Sequence, residues 1–184
     1  MRANKKSSLL FRFLKKAIDI GLFILSVLVL TYLTVTYVAQ RTIVHNVSMQ
    51  ETLSEGDNLI MDKISYHFRE PKRFEIICFR CAGEKDDLIK RIIGLPGETV
   101  QIKNGEIFID GELLTDTAGL QAPEFAGRAE NMITLGSDEY FVLGDNRSES
   151  IDSRFDEVGN VRKSTIAGRA FFRIYPFDKF GLIN

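Results

Sequence analysis

The chain has 184 residues, which allows one folded domain plus a short appendage. With 24 basic against 25 acidic residues it is nearly neutral. Two cysteines and two histidines, His45 and His67, make a structural zinc site possible but poor on count.

The appendage is N-terminal. Ile20 to Val38 is a run without a charged residue, IGLFILSVLVLTYLTVTYV. At about 1.5 Å per residue it is long enough to cross a bilayer as a helix. It shows no polar face, which argues against a buried core helix. A cleavable signal peptide has a shorter apolar core and a small-residue cleavage site. This run is longer and ends Tyr37-Val38-Ala39-Gln40-Arg41, so it is read as an uncleaved anchor. Arg2, Lys5, Lys6, Arg12, Lys15 and Lys16 precede it with no acidic residue among them. Such a bias places the N-terminus in the cytoplasm and the bulk of the chain outside. The expected layout is a basic arm over 1–16, a transmembrane anchor over 17–39 and an extracytoplasmic domain over 40–184. Without the six basic residues of the arm and Asp19, 18 basic stand against 24 acidic residues, about −6. That balance argues against nucleic-acid binding, which needs a basic patch.

Beyond Arg41 short strand-like runs alternate with turn residues. They are Asn58–Met61, Phe74–Phe79, Leu88–Ile93, Thr99–Ile102, Glu106–Ile109, Tyr140–Leu143 and Ala170–Tyr175. Asn104-Gly105 between two of them is a two-residue hairpin signal. The stretch from Asp116 to Ser137 reads as loop. These runs predict a mostly β, antiparallel sheet or barrel-like domain behind one transmembrane helix. Cys78 and Cys81 are three apart, and a bridge between them needs a turn at Phe79-Arg80.

Chemistry concentrates in three segments. Leu88-Ile89-Lys90-Arg91-Ile92-Ile93 reads as a strand ended by Gly94-Leu95-Pro96-Gly97. Alternation puts Leu88, Lys90 and Ile92 on one face and Ile89, Arg91 and Ile93 on the other. If the first face is buried, Lys90 is a desolvated ammonium with a lowered pKa, suited to act as a base. If the second is buried, Lys90 faces water. Neither histidine stands in a recognisable triad setting. A serine nucleophile would then need a lysine base, an arrangement known on other folds. Ser48, in His45-Asn46-Val47-Ser48-Met49-Gln50-Glu51-Thr52-Leu53, is a candidate. The third segment, Gly144-Asp145-Asn146-Arg147-Ser148-Glu149-Ser150-Ile151-Asp152-Ser153-Arg154, packs polar groups behind an apolar strand. It is a solvated turn or a set of supports for the lysine.

Together these segments resemble the bacterial type I signal peptidases. Four blocks agree in order: the anchor, Ser48-Met49 with Thr52-Leu53, KRIIGLPGE from Lys90, and GDNRSESIDSR from Gly144. Gly56-Asp57 with Lys63-Ile64-Ser65-Tyr66 also resembles the family. The single anchor and size are similar to the compact Gram-positive form. Lysine at position 90, where endoplasmic-reticulum and archaeal relatives carry histidine, points to the bacterial branch.

The resemblance implies Ser48 as nucleophile and Lys90 as general base, with Ser150 orienting the lysine and Asp152 and Arg154 supporting the site. It implies secretory preproteins as substrates, with small residues at −1 and −3 before the cut. The signal peptide would bind as an added strand. Val44, Met49 and Ile89 are the expected pocket residues, from adjacency to the motif residues. No metal or cofactor is called for; the expected partners are preproteins and membrane lipid, with the chain monomeric. Glu51 stands where the family usually has proline. Asn46 stands where it often has Ser or Gly, and its amide could serve the oxyanion. Lys72-Arg73-Phe74-Glu75 lacks a Gly-Asp often found there. Two rivals follow: a catalytically inactive, membrane-tethered signal-peptide-binding or assembly protein, and a self-cleaving Ser-Lys regulator. The regulator would need a DNA-binding segment in place of the anchor.

Overall fold

The computed structural model describes residues 2–115, 120 and 122–183, with side chains given from 11 onward except 35. The chain divides into two compact units, 1–38 and 39–184.

The first unit is helix α1 (Arg2–Leu33), continued by a wider π-helical turn over Thr34–Val38. Its described apolar side chains, from Phe11 to Val38, are exposed. Over Phe11–Val38 it is long and apolar enough to cross a membrane. Two of its hydroxyls bond back to the helix: Ser26 Oγ donates to the Phe23 carbonyl at 2.7 Å and Thr34 Oγ1 to the Leu30 carbonyl at 2.9 Å. Neither then needs a polar partner outside the helix.

The second unit is antiparallel β. Its strands are β1 (Ala39–Ile43), β2 (Asn58–Asp62), β3 (Ile76–Phe79), β4 (Leu88–Gly94), β5 (Thr99–Lys103) and β6 (Glu106–Ile109). They continue as β7 (Glu112–Leu113), β8 (Ile133–Thr134), β9 (Glu139–Leu143), β10 (Val161–Arg162), β11 (Ile166–Tyr175) and β12 (Gly181–Leu182). The larger sheet runs β1-β2-β11-β3-β4-β9-β10, with β12 beside β11; the smaller runs β7-β6-β5-β8. The mostly antiparallel β fold expected from the runs is the one observed. The β5–β6 hairpin turns on Asn104 and Gly105, whose φ of 52° and 82° are those the Asn-Gly pair accepts at little cost.

The expected loop over Asp116–Ser137 contains a 3₁₀ turn (Gly127–Glu130) and β8; residues 116–119 and 121 lie outside the described residues. Strand β1 occupies the tail that the sequence assigns to the span and its exit. It is recruited by pairing Ala39–Ile43 with Asn58–Asp62.

β4 lies inside the large sheet, between β3 and β9, and both of its faces are covered. On one face Ile92 joins Ile77, Phe79, Tyr140 and Val142, with Leu88 packed against them. On the other, Ile89 joins Met49, Leu53, Leu59, Met61, Ile76 and Cys78, and Ile93 joins Val100, Ile102, Phe141 and Leu143. Lys90 and Arg91 are therefore both buried. The choice that alternation posed, one cation in and the other out, does not arise here. Cys78 and Cys81 are free thiols and belong to different clusters, one on each face.

Candidate active site

Ser48 sits in a tight turn after β1. The Gln50 N–H bonds to the Val47 carbonyl, and the Thr52 and Leu53 N–H groups bond to that of Met49. The turn sends Met49 and Leu53 into the core and leaves the Ser48 side chain facing β4. Glu51, at the place of the family's proline, has φ of 99°. A proline is locked near −65° and cannot take that conformation.

Lys90 Nζ donates to Ser48 Oγ at 2.7 Å. The residues are 1% and 5% exposed. Ser48 Oγ in turn donates to Asn46 Oδ1 at 2.8 Å. Burial pushes the Lys90 amine down from the ordinary 10.5 to about 8; Asp152, Asp145, Cys81 and Glu84 partly oppose it. Desolvation disfavours the ammonium, and among the described residues no carboxylate bonds Nζ to restore it in full.

Two hydrogen bonds from Asn146, one from its backbone and one from its side chain, hold the Ser48 turn against the third segment. The Asn146 N–H donates to the Ser48 carbonyl and Asn146 Nδ2 to the Val47 carbonyl, each at 3.1 Å. Gly144 is required there: a Cβ on it would fall 2.2 Å from Ser150 Oγ and 2.5 Å from the Ser48 carbonyl oxygen. Within the segment, Asp152 accepts from the Gly144 N–H at 3.0 Å and from the Arg154 guanidinium at 2.8 and 2.9 Å. Arg154 also donates to the carbonyls of Phe125, Arg147 and Ser150. It thus fastens the loop from inside, with its charge met by Asp152. Ser150 is 4% exposed and, among the described residues, its hydroxyl has no hydrogen-bond partner. It lies beside Gly144 and does not bond Lys90; the amine bonds Ser48.

On the opposite face of β4, Arg91 donates to both oxygens of Asp145, at 2.9 and 2.8 Å. It also donates to the Phe74 carbonyl at 2.8 Å and to Thr52 Oγ1 at 3.3 Å. Arg173 donates to the Thr52 carbonyl. Arg91 and Asp145 therefore tie the serine segment, β4 and the third segment together. The sequence reading passed over both, although each lies inside a segment it singled out.

The pair opens into a cleft of about 400 Å³ lined by Asn46, Ser48, Cys81, Leu88, Lys90, Ile151 and Val158, with Glu84, Glu149 and Glu157 also on its wall. A smaller adjoining cleft, about 140 Å³, is lined by Val44, Asn46, Leu88 and Ile89 among others. Of the three expected pocket residues, Val44 and Ile89 border this space. Met49 is fully buried in the core and borders neither cleft.

A buried hydroxyl bonded to a buried amine, open to a cleft on an antiparallel β-domain, is an arrangement suited to a serine peptidase. Residues 17–175 match the family described as signal peptidase, peptidase S26. The chain belongs to that family, and its activity is that of a serine peptidase that removes signal peptides. It is 38% identical over 154 residues to a signal peptidase I of Leptolyngbya laminosa, covering 79% of this chain and 73% of that one. It is 33% identical over 186 residues to a signal peptidase I of Bacillus amyloliquefaciens, covering 97% and 94%. A crystal structure of a signal peptidase I from Enterococcus faecalis V583 aligns with a TM-score of 0.45 at 30% identity, over 55% of this chain and 97% of that one.

Proposed function

We propose that the chain is a membrane-anchored endopeptidase in which Ser48 is the nucleophile and Lys90 the general base. The observation that carries this reading is the 2.7 Å contact between Lys90 Nζ and Ser48 Oγ, both largely buried at the floor of a cleft. Neutral Lys90 takes the Ser48 proton as Oγ bonds to the carbonyl carbon before the scissile bond. The C–N bond then breaks, the lysine ammonium protonates the leaving amine, and the signal peptide remains as an ester on Ser48. A water gives a proton to Lys90 and attacks that ester; the C–O bond breaks and Ser48 recovers its proton.

Once Ser48 is acylated, its oxygen is a poorer partner for the amine. The unbonded Ser150 hydroxyl is close by to take its place. Asp152 and Arg154 act at one remove, by holding the loop that carries Ser150. Val44 and Ile89 border the smaller cleft, whose size suits the small residues at −1 and −3 of secretory preproteins. Helix α1 anchors the chain in the lipid with the basic arm in the cytoplasm and the β-domain outside, and the protein works as a monomer.

The test is cleavage of a purified preprotein by wild type, Ser48→Ala and Lys90→Ala. Both variants lose processing. Full activity in either removes the mechanism.

A further inference from the structure

The hydrogen bonds around Ser48 do not yet point the way the reaction needs. Lys90 gives a proton to Ser48 Oγ, and Ser48 gives its own to Asn46 Oδ1, away from the base. The network is complete only while Lys90 is a donor. An ammonium has no lone pair, so the Ser48 proton must go elsewhere, and the carboxamide oxygen receives it. A neutral amine has a lone pair and accepts that proton itself. Asn46 Oδ1 would then face an oxygen with no proton between them.

We propose that the Asn46 carboxamide is a proton-linked switch, turning Oδ1 toward Ser48 while Lys90 is charged and Nδ2 toward Ser48 once Lys90 is neutral. The inference rests on Ser48 and Lys90 being the reacting pair. Rotation about the last side-chain bond of asparagine is broad and roughly two-fold, so the turn itself costs little. The surroundings leave it free: Asn46 is exposed, borders both clefts, and among the described residues its side chain has no other hydrogen bond. Asn46 is therefore a positioning residue. It aims the Ser48 proton in either charge state of the lysine. Serine or glycine at this position has no amide to turn. The other charged or titratable groups facing the amine are Asp152, Asp145, Cys81 and Glu84, with Glu149 and Glu157 on the cleft wall. Asn46→Asp adds one carboxylate to this set, and Asn46→Ala adds none.

The test is a titration of Lys90 by NMR in the full-length protein in detergent micelles, with lysine labelled with ¹³C at Cε. Loss of the signal in Lys90→Met assigns it. Asn46→Asp can only accept and also adds a negative charge beside the pair, so the midpoint rises by about one unit or more. Asn46→Ala can do neither, so both charge states lose their partner and the midpoint stays close to wild type. In preprotein cleavage near neutral pH, Asn46→Asp lowers kcat/KM about tenfold, because the neutral fraction drops tenfold per unit below the midpoint. A midpoint that falls by about one unit in Asn46→Ala marks a fixed acceptor and overturns the switch, as does an unchanged midpoint in Asn46→Asp. Should Asn46→Ala fail to fold, Asn46→Gly takes its place in the comparison. The titration needs no turnover, so it stands or falls separately from the Ser48→Ala assay.

Discussion

Lys90 and Arg91 are neighbours on one strand, facing opposite sides of it, and both are buried. Their sites differ in the partner each cation meets. Lys90 bonds a neutral hydroxyl, so burial goes largely uncompensated and its amine is pushed down to about 8. Arg91 meets the Asp145 carboxylate through two parallel hydrogen bonds, and its remaining donors reach Phe74 and Thr52. One face holds a cation that can give up its proton. The other holds a pair that fastens three chain segments. Burial alone does not decide between a reactive group and a structural one; the partner does.

This contrast can be broken by experiment. The largest effect belongs to Lys90→Met, which lowers kcat/KM for a preprotein by about three orders of magnitude or more. Its thermal midpoint should be no lower than wild type, because a desolvated charge is replaced by an apolar chain of similar length. Arg91→Met should do the reverse in stability: it strands Asp145 without its cation and costs about 3–5 kcal/mol, roughly 10 °C at this size. Equal melting losses in the two variants would end the distinction between the faces. Gly144→Ala comes next. Its methyl group would displace the Ser48 carbonyl and the Ser150 hydroxyl, and a shift of that kind costs about 10²-fold in kcat/KM. The smallest effect is that of pH on wild type. Only neutral Lys90 is a base, so kcat/KM should fall about tenfold per unit below about 8 and level off above it. A profile flat from pH 6 to 9 would mean that the amine is not the titrating base.

What could be read from the sequence follows from how far each signal reaches. Asn104-Gly105 is visible because the pair accepts a turn most residues avoid, so the β5–β6 hairpin falls where expected. The strand over Leu88–Gly94 is visible too, but not which of its faces is buried. Alternation assumes one wet face, and β4, with packed clusters on both sides, has none. The same assumption hid Arg91 and its partner Asp145. Met49 shows the limit of adjacency: a residue next to Ser48 in the chain turns the other way, into the core. Ser150 shows another limit, since nothing in the order of residues tells that its hydroxyl is buried without a partner while that of Ser48 receives the amine. Strands of two residues, such as β8 and β10, are set by pairing alone and leave no period to detect.

The Arg91 clasp has a consequence for the order of events when the chain is made. It joins β4 to Asp145, 54 residues further on, and to Thr52, 39 residues back. Ser48 and Lys90 emerge early in synthesis, but contacts this distant in sequence form late. A chain that has not yet delivered Asp145 and Gly144 lacks the groups that hold the pair in place. Proteolytic competence is then a property of the finished domain, and a nascent chain stays harmless to its neighbours until its last third has folded.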